Sequence, residues 1–73
     1  MSEQVIFRVW EMDTDTQKLE VINAMEKYSG VLEVEADMET QLVKVLFEPS
    51  NILAGDLMDS VEAAGYQVSI IQR

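Results

Sequence analysis

Two hydrophobic spacings alternate along the chain, and this alternation restricts the fold more than any other feature. Apolar residues at every second position are typical of half-buried strands, and apolar residues three and four positions apart are typical of one helix face. The first spacing occurs in residues 4–10, 31–37, 43–47 and 66–70. The second occurs at Val21, Ala24, Met25 and Tyr28, and again at Leu57, Val61 and Ala64. The pattern therefore predicts four strands and two helices.

The order of these segments is strand, helix, strand, strand, helix, strand. This order predicts an α+β ferredoxin-like sandwich, in which both helices cover one face of a four-stranded antiparallel sheet. We expect residues 1–73 to form one domain, with the first strand between the third and the fourth. We also expect the first helix to end at Ser29, with Gly30 as a left-handed cap, and Gly65 to cap the second helix.

The composition excludes several classes of site. The chain contains neither Cys nor His, and its net charge is −9, with 14 Asp and Glu against 5 Lys and Arg. Thiolate and imidazole metal sites are therefore absent, and binding to nucleic acid or to anionic membranes is disfavoured. No apolar run approaches the roughly 18 residues of a membrane span. Residues 1–4 lack the basic region and apolar core of a secretory signal, so we expect a cytoplasmic location. The sequence has no phosphate-binding glycine loop and no nucleophile beside a base, so we expect a domain that is not an enzyme.

Residues along nearly the whole chain resemble the heavy-metal-associated domain of copper chaperones and metal-transporting ATPases. The best-matched stretch is residues 56–68. The matching positions before it are Val9, Met12, Val21, Ala24, Met25, Tyr28, Gly30, Val31, Val34, Asp37, Val43, Val45, Phe47 and Pro49. The resemblance implies the same ferredoxin-like fold. It also implies contact with other proteins, because metal-transport proteins of this family dock on one another through charged faces.

The defining motif of that family is absent from this chain. In the family, Met-x-Cys-x-x-Cys lies between the first strand and the first helix, and its two thiolates hold copper(I) or another soft ion. Here Met12 is followed by Thr14 and Gln17 at the two Cys positions, and Glu11 stands where a glycine usually precedes the Met. Hydroxyl and carboxamide oxygens are poor ligands for copper(I), which prefers thiolates or thioethers. The resemblance thus implies a domain that keeps the scaffold and lacks the thiolate site.

The residues of this loop also suggest a purely structural role. Thr14 and Gln17 have the spacing of a capping box, in which each side chain accepts a hydrogen bond from the backbone of the other. Asp13 and Asp15 add negative charge near the positive end of the helix dipole. The sequence therefore predicts a helix start that needs no metal.

A second interpretation of the same loop is a weakly bound divalent cation. Asp13 and Asp15, with the hydroxyls of Thr14 or Thr16 and with help from Glu11, could offer oxygen ligands to a hard ion. Met12 could offer a thioether to copper(I), although the resemblance implies that this Met is a buried anchor of the loop.

The face of the sheet opposite the helices is a candidate surface for a partner. We expect four apolar side chains to lie near one another there: Ile6, Trp10, Leu46 and Ile71. A contiguous exposed patch that contains Trp is typical of protein contacts. In an alternative interpretation, the aliphatic stems of Arg8 and Lys44 cover the patch.

Together these observations predict a non-catalytic accessory module that docks on a protein partner or on a second copy, with no cofactor. The weakly bound divalent cation and a self-associating structural domain remain as alternatives.

Overall fold

The structure is a computed structural model that describes all 73 residues. Its elements are β1 (Glu3–Val9), α1 (Asp15–Glu26), β2 (Val31–Asp37), β3 (Leu42–Phe47), α2 (Ala54–Ala63) and β4 (Val68–Gln72). The strands form one sheet in the order β2-β3-β1-β4, and every neighbouring pair is antiparallel. The predicted ferredoxin-like arrangement is confirmed, including the place of β1 between β3 and β4.

The hydrophobic core lies between the sheet and the two helices. On β1, the alternate residues Val5, Phe7 and Val9 are buried, and Val5 and Phe7 pair with Val45 and Val43 of β3. The helices add buried residues at helical spacing: Val21 and Met25 from α1, and Ala54, Leu57 and Val61 from α2. Period-two burial on the sheet and a helical stripe on each helix therefore meet in one core.

The two glycines that follow the helices have different structural roles. Helix α1 ends at Glu26, and Gly30 lies beyond it without a positive φ, so the predicted end at Ser29 and the predicted left-handed cap are wrong. A Cβ at Gly30 would lie 2.9 Å from Asn51 Cβ and 2.9 Å from Ile52 Cγ2. Close packing is thus the reason for glycine there. Gly65 has φ +101° directly after α2, as its predicted capping role requires.

The sheet has two irregularities, one on each outer strand. The register shifts between Val31 and Glu33 on β2, and opposite Ile6 and Phe7 on β4, which leaves Leu32 and Ile71 as additional residues. Both side chains are exposed. Bulges of this kind are frequent on outer strands, where they change the direction of the edge. Neither helix is long and apolar enough to cross a membrane.

Candidate functional site

The candidate site is the loop that connects β1 to α1. It begins where the Trp10 N–H donates a hydrogen bond to the Gln67 carbonyl oxygen at 3.0 Å, just beyond the last residue of β1. Glu11 follows with φ +62°, in the left-handed region that favours glycine. The chain therefore turns sharply at the position where the resembling family usually has glycine, and it does so with a glutamate.

Met12 anchors the loop in the core. Its side chain is fully buried. Its N–H donates to Gln41 Oε1 at 3.0 Å, and its carbonyl oxygen accepts from Gln41 Nε2 at 2.8 Å. One carboxamide thus satisfies both backbone groups of Met12, and it fastens this loop to the turn between β2 and β3. The sulfur of Met12 has no exposure to solvent in this arrangement.

Gln41 is the residue of this region that the sequence analysis missed. It has φ +63°, its Nε2 also donates to the Met38 carbonyl oxygen at 2.8 Å, and its own carbonyl oxygen accepts from the Val9 N–H at 2.9 Å. The sequence shows only a polar residue at the end of a turn. Because Met12 lies 29 positions away, no local pattern could have identified the pairing.

The start of α1 is closed by the predicted capping box, which the structure confirms. The Gln17 N–H donates to Thr14 Oγ1 at 3.1 Å. In return, Gln17 Oε1 accepts from the N–H groups of Asp13 at 2.9 Å and of Thr14 at 3.1 Å. The side chains at the two positions where the resembling family has Cys are therefore both engaged with the backbone of this loop.

Three carboxylates belong to this loop and to the first turn of α1. Glu11, Asp13 and Asp15 are exposed, and none of them takes part in a salt bridge. Asp15 lies in the first turn of α1, where the helix dipole stabilises negative charge. No group of three or more Asp, Glu, His or Cys side chains is arranged to hold a metal ion. The role of Asp13, Asp15 and Met12 as ligands stays a prediction.

A polar contact beside the loop joins α1 to the segment after α2. The Tyr66 hydroxyl donates to Glu20 Oε1 at 2.6 Å. Burial, this hydrogen bond and the negative charge of Glu20 together raise the pKa of Tyr66 to about 12. Each of these effects disfavours the phenolate. Tyr66 therefore stays a neutral donor across the physiological range, and the contact fixes one side of a small polar depression lined by Trp10, Glu11 and Gln17.

The sheet register places two of the four predicted partner residues, Ile6 and Leu46, on the open face. That all four form one patch stays a prediction. Ile6 pairs with Lys44, and Leu46 is two pairs further along the same two strands, where it pairs with Gln4. Ile71 is the additional residue of the β4 bulge, next to Gln72, which pairs with Ile6. Trp10 lies four residues beyond Ile6, on the order of 13 Å along an extended chain. The Arg8 guanidinium lies 4.9 Å from the centroid of the Trp10 ring. The alternative interpretation, in which the aliphatic stems of Arg8 and Lys44 cover the patch, stays a prediction.

The chain is similar along nearly its whole length to several solved metal-trafficking domains. It is 26% identical to oxidised MerP from Ralstonia metallidurans CH34, with a TM-score of 0.92 over 99% of this chain and 100% of MerP. It is 27% identical to the CopZ metallochaperone, with a TM-score of 0.88 over 92% and 100% of the two chains. For the N-terminal domain of a potential copper-translocating P-type ATPase from Bacillus subtilis, the TM-score is 0.93 at 21% identity, over 99% and 90%.

No protein-family model matches the chain, and no curated protein matches it either. The similarity thus lies in the solved structures, all of which are matched over at least nine-tenths of both chains. This chain has the fold of the heavy-metal-associated domains of metal-trafficking proteins, and it has no cysteine.

Proposed function

We propose that this domain is a non-catalytic protein-interaction module related to metal trafficking, which keeps the heavy-metal-associated scaffold and works without a bound metal. One observation carries the proposal. Thr14 and Gln17 occupy the positions of the two thiolates in the resembling family, and their side chains close the helix start through hydrogen bonds to the loop backbone. The loop is complete without an ion.

The chemistry of the remaining donors supports the absence of a soft-metal site. Copper(I) binds thiolates and thioethers, and the only sulfur in this loop belongs to Met12, which is fully buried. A divalent cation held by Asp13 and Asp15 is the competing possibility. The positive end of the α1 dipole opposes a cation at that place, and these carboxylates have no third acidic partner arranged around them.

The open face of the sheet is the surface that we propose for the partner. Ile6 and Leu46 lie on this face by the register of β1 and β3, and Ile71, at the bulge of the neighbouring β4, is 54% exposed. The chain carries a net charge of −9, so a positively charged protein surface would be attracted to it. Chaperones and ATPase domains of this fold work by meeting other proteins during metal transfer, and this module would retain that docking without the cargo.

The experiment is an amide NMR titration of the purified domain with copper(I), zinc, manganese and calcium in turn. The proposal predicts no saturable shifts that cluster in residues 12–17 with any of the four ions. The matched control is the double variant Thr14→Cys with Gln17→Cys, which restores two thiolates at the spacing of the resembling family. We expect this variant to bind copper(I) with saturable shifts in the same residues.

The two arms of the titration exclude a trivial explanation of a negative result. If the Cys variant responds and the natural chain does not, the scaffold can hold a soft metal and the natural loop cannot. Saturable shifts at Asp13 and Asp15 in the natural chain would contradict the proposal, because the loop would then bind an ion through oxygen ligands.

A further inference from the structure

The outer edge of β2 has the features of a site for strand addition. β2 is the last strand on its side of the sheet, so one row of its N–H and C=O groups has no partner strand. Helix α1 packs beside it, and a shallow groove follows the edge. The helix side of this groove is lined by half-buried apolar side chains: Ile22, Val34, Ala36 and Met38.

The open-face side of the same strand has the opposite chemistry. Glu33, Glu35 and Asp37 alternate along β2 and are all exposed. Glu35 pairs with Lys44 at 3.2 Å between Nζ and Oε2, whereas Glu33 and Asp37 make no salt bridge. The outer edge of β2 therefore has unpaired backbone groups, with apolar side chains on its helix side and acidic side chains on its open-face side.

We infer that this edge binds an extended segment of a basic protein partner, in which apolar and basic side chains alternate. Side chains of an added strand point alternately to the two faces of the sheet. Its apolar residues would contact Val34 and Ala36 beside α1, and its basic residues would face Glu33 and Asp37. Main-chain hydrogen bonds supply affinity in this binding mode, and the alternate side chains supply specificity. Lys18 also lines the groove, on the helix side. The partner residue on that side would be apolar, so no basic partner residue would lie against the positive charge of Lys18.

Charge selects this partner over a second copy of the chain. Antiparallel pairing of two β2 edges would bring carboxylates opposite carboxylates, which destabilises a sheet. The other outer strand, β4, has no charged residue in Val68–Gln72. Both outer strands carry a bulge, so the charge distinguishes the two edges. Only the β2 edge thus combines an unpaired backbone with a charge that distinguishes between partners.

This inference rests on the proposed function, because it extends the partner surface from the open face to the β2 edge that borders it and names the chemistry of that partner. The probe is a synthetic peptide of alternating Val and Lys with the 7-residue length of β2. Two control peptides have Glu in place of each Lys, or N-methyl groups on alternate backbone nitrogens. We expect the Lys peptide to produce saturable amide shifts along β2 that weaken with added salt. Neither control peptide should do so.

A pair of matched variants tests the acidic side of the edge. Glu33→Gln with Asp37→Asn removes two unpaired negative charges from β2, and Asp59→Asn with Glu62→Gln removes two from the exposed surface of α2. We expect the β2 variant to bind the Lys peptide about fivefold more weakly, since exposed ion pairs each contribute modestly. The α2 variant should bind nearly as well as the natural chain.

Each other outcome overturns the inference. The inference is wrong if the Lys peptide does not bind, or if the Glu or N-methylated peptide binds equally well. It is also wrong if the amide shifts centre on the helices, or if the two variants lose equal affinity for the Lys peptide. A sedimentation mass of the natural free domain that is twice that of one chain would also overturn it, because a second copy would then occupy the edge despite its carboxylates. The proposed function fails separately, through ion-dependent shifts in residues 12–17, so the two failures are distinguishable.

Discussion

The two helices of this domain begin in different ways. Helix α1 starts with a reciprocal pair of hydrogen bonds between Thr14 and Gln17. Helix α2 starts at Leu53, whose side chain offers no acceptor, and the single capping contact there is the Leu53 N–H donated to Asp56 Oδ2 at 3.2 Å. The two halves of the fold share an architecture, but their helix starts use different interactions.

Burial explains why the two starts differ. In α2, Ala54 and Leu57 enter the core within the first turn. In α1, none of residues 15–19 is buried, and the first buried side chain is Val21. A helix start without nearby apolar burial depends on satisfying its free N–H groups. The capping box thus stabilises the start of α1, whereas apolar packing stabilises the start of α2. The box lies in the loop where the resembling family holds metal.

The largest expected effect is on the packed start. Leu57→Ala should lower the free energy of unfolding by about 2–5 kcal/mol, because it removes a fully buried side chain and leaves a cavity. Urea unfolding measures the loss. The neighbouring Met58→Ala is the control, since Met58 is only half-buried and should cost less. Equal losses in the two variants would mean that burial does not secure the start of α2.

The next effect concerns the clamp on Met12. Gln41→Glu keeps the size of the side chain but replaces the Nε2 donor, which bonds the carbonyl oxygens of Met12 and Met38, by a carboxylate oxygen. We expect a loss of about 1–3 kcal/mol, because these carbonyl oxygens lose their donor. Gln67→Glu is the matched control, with the same charge change at an exposed residue. A loss in Gln67→Glu as large as in Gln41→Glu would assign the effect to net charge alone.

The capping box itself should contribute less. Thr14→Ala should lower the free energy of unfolding by about 1 kcal/mol, whereas Thr16→Ala, an exposed residue of the same helix turn, should change it little. Thr14→Ala with Gln17→Ala should cost less than the sum of the single variants, because each removes part of one reciprocal contact. An unchanged melting temperature for Thr14→Ala would show that the Thr14 cap does not stabilise the domain.

The smallest effect is at Glu11. Its φ of +62° favours glycine, so Glu11→Gly should raise the free energy of unfolding by up to about 1 kcal/mol, after the greater freedom of glycine in the unfolded chain is subtracted. Glu11→Ala keeps the Cβ and should give no such gain. A gain in both variants would point to the removed charge and not to the backbone.

The sequence predicted those features that depend on neighbours along the chain. Period-two alternation predicted all four strands, although β4 runs from Val68 to Gln72, two residues later than the predicted 66–70. The spacing of Thr14 and Gln17 predicted the capping box that the structure shows. The predicted end of α1 was wrong because Tyr28 continues the helical spacing of apolar residues although it lies outside the helix. Its side chain packs against the core from the turn after Glu26. Leu19 also fits the spacing, yet it is 56% exposed.

Features that depend on contacts between residues far apart in the chain could not be predicted from the sequence. The contact of Gln41 with Met12 joins two loops through the fold, and no local pattern marks it. The position of the Arg8 guanidinium over the Trp10 ring is a side-chain arrangement that only the structure shows. The roles of Asp13, Asp15 and Met12 toward ions remain predictions that the titration decides.

The most direct test of the central claim, that the first loop is closed by its own side chains, is amide hydrogen exchange in ion-free protein. The N–H groups of Met12, Asp13, Thr14 and Gln17 all donate to side-chain oxygens in the structure. We predict that these four amides exchange slowly without ions, and that zinc, calcium, manganese or copper(I) leaves their rates unchanged. Free exchange in the ion-free protein that slows when an ion is added would contradict the account, because a ligand would then be closing the loop.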